Sequence, residues 1–216
     1  MKEEKTKYNG FFTNILFYTL SGVIASLFPV IMRTIVSLFL YTPSLSELKG
    51  DASYLFNVVY PIMGLMTTAA FIGGAFLCSY FTANKIAYKS REPFPHRKAK
   101  FQMAISASLV LVFNVWYIFP SNYSGAFGCQ YWYFSASLAP LFGIVDKRDA
   151  ISFMSNSDAL SNFIINGLTN YILGIILASF VLLAVGFGFA SYYGRKLGHE
   201  RGLASINKYL DELHSK

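Results

Sequence analysis

The chain has 216 residues, of which 54% are hydrophobic, 18% aromatic and 13% charged, with a net charge of +7. An ordinary water-soluble domain is about 25% charged, and a chain with this little charge cannot solvate the surface of a globule. The basic balance does not point to nucleic acid, because most of the Lys and Arg residues flank apolar runs, where they act as topology signals.

Residues 1–10 are polar. Residues 11–41 are apolar apart from scattered polar groups and Arg33. About 31 helical residues extend roughly 46 Å, more than the ~30 Å hydrocarbon core requires. This first span is therefore expected to tilt, to start along the interface, or to kink at Pro29, whose ring frees the carbonyl of Ala25. It is too long for a cleaved signal and lacks a small-residue cleavage pattern.

A polar loop at 42–53 leads to the second span, residues 54–81. No charge interrupts its apolar core, and Pro61 releases the carbonyl of Asn57. Gly64, Gly73 and Gly74 lie in this span at helix-packing spacing. In lipid, small residues allow the close backbone approach that association depends on.

The loop at 82–100 is the most basic in the chain. It carries Lys85, Lys89, Arg91, Arg97, Lys98 and Lys100, a cluster next to a span that attracts anionic headgroups. The third span, 101–119, ends in Trp116 and Tyr117, residue types favoured at the interface. Residues 120–169 form a long outer loop whose Tyr131, Trp132, Tyr133 and Phe134 suit the membrane–water boundary. Residues 125–145 are the alternative: a fifth span. The fourth span, 170–193, contains Gly174, Gly186 and Gly188 as further packing candidates. The tail, 194–216, places Leu203, Ile206, Leu210 and Leu213 on one stripe of an amphipathic helix.

The basic residues fall in the amino terminus, the 82–100 loop and the tail. With four spans all three lie on one side, so both termini face the cytoplasm. A fifth span would put the basic tail outside. The expected fold is a single all-α membrane domain, a four-helix bundle in the cell membrane.

Arg33 is the one charge inside an apolar span, at a cost of about 2.5–3.5 kcal/mol or more at the bilayer centre. No acid lies in any span. Its partner is therefore a loop acid (Glu47, Asp51, Asp146, Asp149 or Asp158), a backbone carbonyl, lipid, water or an anionic ligand. Arg33, Asn57 and Asn114 share a depth in the outer half, where a polar ligand-binding layer is one reading and simple helix ties are the other.

Catalytic signatures are missing: no His-Glu-x-x-His, Cys-x-x-Cys or Gly-x-Ser-x-Gly occurs. No metal, cofactor or enzymatic role is expected. Cys78 and Cys129 fall on opposite sides and are not expected to pair. Two functions remain. One is a non-enzymatic membrane subunit that packs with itself or with a partner protein. The other is a small transporter or channel-like protein built around Arg33, Asn57 and Asn114.

Overall fold

The computed structural model describes residues 10–43, 47, 52–90, 93–118, 129–143 and 171–214, and these are helical with no strand among them. The amino-terminal lysines, Arg91, most of the expected outer loop and its acids Asp146, Asp149 and Asp158 lie outside the described residues. Six α-helices lie among the described residues: α1 Phe11–Ala25, α2 Phe28–Ser37, α3 Tyr60–Ser90, α4 His96–Ile118, α5 Cys129–Leu138 and α6 Tyr171–His214. Among the described residues three stretches, Phe11–Ser37, Leu55–Ala87 and Leu177–Leu213, are long and apolar enough to cross a bilayer; α4, which covers the expected third span at 101–119, is not one of them.

Two prolines shape the first half of the chain. Pro29 sits in the first turn of α2, where its missing N–H costs nothing, and the first span breaks between Ala25 and Phe28. The hydroxyl of Ser26 donates back to the Gly22 carbonyl at 3.1 Å. The Ala25 carbonyl comes up to α3 at Gly74, where an added Cβ would lie only 3.2 Å from it. Pro61 has a different effect. The helix widens to a π turn over Leu55–Val59, with the Tyr60 N–H donating to the Leu55 carbonyl five residues back. That widening gives room to the proline ring, which clashes with the carbonyl four residues earlier in a regular α-helix.

The most extensive interface joins α3 and α6. On α3, Phe71, Ala75, Ser79, Ala83 and Ala87 recur at four-residue steps and all are buried. Facing them, Gly194, Gly198 and Gly202 of α6 lie against the backbone carbonyls of Phe76, Tyr80 and Asn84 in turn. A side chain at any of the three would run into α3 backbone. Partners on both helices advance together, so α3 and α6 run parallel.

A second parallel pair is α1 and α4. Gln102 Nε2 donates to the Phe11 carbonyl at 3.2 Å, Ser106 Oγ to the Ile15 carbonyl at 3.3 Å, and Asn114 Nδ2 to Ser26 Oγ at 3.2 Å. The two pairs are opposed: Tyr18 meets Arg195, whereas Gly22, one turn further along α1, meets Phe187.

α6 extends much further than the expected span 170–193. It is one helix of 44 residues, roughly 66 Å long at 1.5 Å per residue. Of the expected tail stripe, Ile206 is buried, Leu203 and Leu210 are half-buried and Leu213 is exposed.

α5 departs most from expectation. Instead of lying at the interface, its aromatic face is buried: Tyr131 and Trp132 are 1% and 7% exposed. Tyr131 lies edge-on to Phe71 of α3, while Ala136 and Ala139 join the cluster of Ala52, Leu55 and Phe56 near the start of the π turn. Phe71 is roughly 24 Å along the helix from Leu55. α5 therefore begins deep beside α3 and climbs back toward its start. At 10 residues, or about 15 Å, it is half the length a span requires. Gly64 makes this docking possible, since a Cβ there would lie 2.8 Å from the Tyr133 carbonyl.

Candidate functional site: the bundle axis

Polar groups collect at two levels of the bundle, with an aromatic layer between them. One level is built around Arg195. Ser179, Leu183, Phe187, Ser191, Arg195 and His199 recur at four-residue steps on α6 and are all buried, so helical geometry turns Arg195 inward with the apolar residues before it. Arg195 is only 4% exposed. Its guanidinium lies 4.0 Å from the centre of the Tyr18 ring, a cation–π contact strengthened by desolvation. Its Nη1 donates to the Ala99 carbonyl at 3.3 Å, and its Nη2 donates to Gln102 Oε1.

The Gln102 orientation is fixed from its other end. Its Nε2 donates to the Phe11 carbonyl, which leaves Oε1 to accept from Arg195. No carboxylate pairs with Arg195 among the described residues. A cavity of about 10 Å³ lies beside the guanidinium, lined by Tyr18, Ser79, Ser106, Phe187 and Ser191 among others. That volume holds about one water.

Four rings make up the middle layer. Phe71 stacks on Phe187 at 5.0 Å, and Tyr131 stacks on Phe180 at 4.2 Å and meets Phe71 at 5.8 Å. Offset and edge contacts at these distances are the favoured geometries of aromatic pairs.

The other level holds Arg33. It is half-buried, and its Nε donates to the Tyr133 hydroxyl on α5 at 3.0 Å. The Tyr133 ring lies 6.2 Å from that of Tyr60. At the first turn of α5, Gln130 is 0% exposed, and neither atom of its amide has a hydrogen-bond partner among the described residues. No family model, curated protein or solved structure matches this chain.

The three residues proposed as a common layer have separate surroundings. Arg33 is bound to a tyrosine hydroxyl, a partner outside those considered from the sequence. Asn114 is buried, donating to Ser26 Oγ and to the Val110 carbonyl at 2.9 Å, so it ties α4 to the break between α1 and α2. Asn57 sits on the π turn and is exposed. No hydrogen bond joins any two of them.

The glycines divide as well. Gly64 and Gly74 face neighbouring backbone, and Gly186 faces the Ile72 side chain at 3.3 Å from an added Cβ. Gly73, Gly174 and Gly188 have nothing within 4 Å of an added Cβ. The closest approaches involve glycines outside that set. One is Gly22, where a Cβ would lie 2.5 Å from a Val110 methyl; the others are Gly194, Gly198 and Gly202. The four-residue repeat from Gly186 through Ala190 to Gly202 was the available signal, hidden by the charged residues between the last three. For Arg195 the signal was its place, four residues after Ser191, on the same helical line.

Cys78 and Cys129 are both free. Lys85, Arg97, Lys98 and Lys100 of the basic segment are exposed.

Proposed function

We propose that this chain is a non-enzymatic, four-span protein of the cell membrane that serves as a membrane subunit, packing with itself or with a partner protein. One observation carries the reading. The longer polar side chains of the apolar helices hold helices together: Arg33 ties α2 to α5, Asn114 ties α4 to the break after α1, and Gln102 ties α4 to α1 and α6. The surfaces of Gly73, Gly174 and Gly188 face outward without a neighbour and supply small-residue faces of the kind that pair helices in lipid. The exposed basic residues Lys85, Arg97, Lys98 and Lys100 meet anionic headgroups on the cytoplasmic side.

The helix directions support the four-span topology. Between two parallel spanning helices the chain crosses an odd number of times, so parallel α3 and α6 agree with one intervening span, α4, and a non-spanning α5. A fifth span would make α6 antiparallel to α3. Single cysteines in a chain lacking Cys78 and Cys129 test this. Ser46→Cys and Ser157→Cys are expected to react with an impermeant thiol reagent on intact cells. Ser90→Cys and Ser215→Cys are expected to react only after the membrane is opened. External labelling of Ser215→Cys would overturn the topology.

A second reading, a small transporter or channel-like protein, is favoured by α5. A short helix that enters the bundle and returns, next to a proline-broken α1–α2 and a π turn in α3, resembles the discontinuous elements at transporter sites. In nanodiscs, the subunit reading predicts particles containing more than one protein chain and no solute flux from proteoliposomes. Monomeric particles that pass small ions would reverse the order of the two readings.

A further inference from the structure

The Arg195 cavity has a chemistry that the helix-tie role does not use. A guanidinium has five N–H donors and no acceptor. The Ala99 carbonyl and Gln102 Oε1 accept from Arg195, the Tyr18 side chain lies against it, and all three partners are neutral. A buried charge without a counter-charge is unfavourable even when hydrogen-bonded. Yet the cavity lies beside this cation, deep among α1, α3, α4 and α6.

Hydroxyl donors complete the lining. Ser79, Ser106 and Ser191 come from three different helices and are all buried. Ser106 spends its proton on a long bond to the Ile15 carbonyl at 3.3 Å. The hydroxyls of Ser79 and Ser191 are not held by any hydrogen bond among the described residues, so they rotate freely to suit an occupant. The site therefore offers donors and positive charge around a space too small for a carboxylate or phosphate. Water can fill it but leaves the charge uncompensated.

We propose that this cavity binds one small monatomic anion of the chloride class, held by the Arg195 guanidinium and by the hydroxyls of Ser79 and Ser191. The bound ion supplies the counter-charge that no side chain provides and joins α3 to α6 at the level where they pack most closely. The inference rests on neither reading of the overall function, since a subunit and a channel both gain from a neutralised core.

The test uses the purified full chain in nanodiscs, with chloride exchanged for gluconate at constant ionic strength. Ligand that binds only the folded state raises its stability by mass action. Saturating chloride is expected to raise the melting temperature by about 5 °C. Bromide should act more weakly and iodide not at all, because the space is small. Excess line-broadening in the chloride NMR signal gives a direct readout that requires no variant. Ser191→Val keeps the guanidinium and fills the space; Arg195→Met removes the charge. Both are expected to abolish the broadening and the chloride dependence. Equal melting in chloride and gluconate, with no excess broadening, means that water alone occupies the cavity and overturns the proposal. A chloride effect that persists in Ser191→Val places the ion elsewhere and overturns it as well, even if Arg195→Met fails to fold.

Discussion

Gly198→Leu is expected to lower the melting temperature of the purified protein further than any other single glycine substitution. At Gly198 the obstruction is the backbone carbonyl of Tyr80, which cannot rotate aside as a side chain does. Accommodating even a methyl group means separating α3 from α6, and the same register places Gly194 and Gly202 on the carbonyls of Phe76 and Asn84. Separation would loosen all three contacts together, along with any weak Cα–H···O attraction they provide. Overpacking a core costs about 1–3 kcal/mol where side chains can adjust, so the loss here should lie at or above the top of that range. At roughly 2–4 °C per kcal/mol for a chain of this size, the shift is about 6–12 °C. Gly198→Ala should show a smaller loss in the same direction.

Gly188→Leu and Gly73→Leu are the contrasting cases, with nothing within 4 Å of an added Cβ. Their effect on the melting of the isolated chain should stay within about 0.5 kcal/mol. If they disperse an assembly while leaving the monomer's melting untouched, the outward glycines belong to an interface between chains. If Gly198→Leu and Gly188→Leu melt alike, the backbone contact between α3 and α6 is absent and the parallel packing fails with it.

Much of this fold is written locally. A charge-free run such as the second span is long and apolar enough for a membrane helix, and the two prolines mark the positions where the first and second spans deviate. Helix ends are less legible. α3 and α6 continue well beyond residues 81 and 193 because nothing in the following residues stops a helix where the apolar run ends. Gly194, Gly198 and Gly202 weaken helix propensity by about 1 kcal/mol each, and among Lys, Arg and Glu they give the segment the composition of a loose tail. Only the presence of α3 alongside makes their lack of side chains favourable.

The candidate site was harder to see, because its residues are distant in sequence. Arg33 and Tyr133 are separated by 100 positions, and a tyrosine hydroxyl does not stand out in a search for a counter-charge. The burial of α5 depends equally on distant partners, since Tyr131 has the same composition signal whether it lies in headgroups or stacks on Phe180. Arg195 illustrates the limit of the positive-inside rule. The rule counts a basic residue near a span end, but it is indifferent to which side of the helix carries it. Ser191 and Phe187 one and two turns earlier determine that side, and they point Arg195 into the bundle.

Removing Gln102 is expected to harm the protein more than removing Gln102 and Arg195 together. In Gln102→Leu the guanidinium stays buried over Tyr18 with one acceptor fewer, and a hydrogen bond to a charged group contributes about 1.5–3 kcal/mol. That corresponds to a fall of about 3–12 °C in melting temperature, larger if the stranded charge draws water into the bundle. The double variant Gln102→Leu/Arg195→Met also loses the bond to the Phe11 carbonyl, so that loss cancels in the comparison. It leaves no buried charge, however, and apolar replacement of a buried polar pair is often neutral or stabilising. The double variant should therefore melt above Gln102→Leu, with a coupling of about 1–3 kcal/mol in a double-mutant cycle. Running the series in gluconate removes any contribution of a bound halide. If the losses simply add, Arg195 does not depend on Gln102. Its charge would then have to be solvated from elsewhere, and the Arg195 end of the bundle would be open to water.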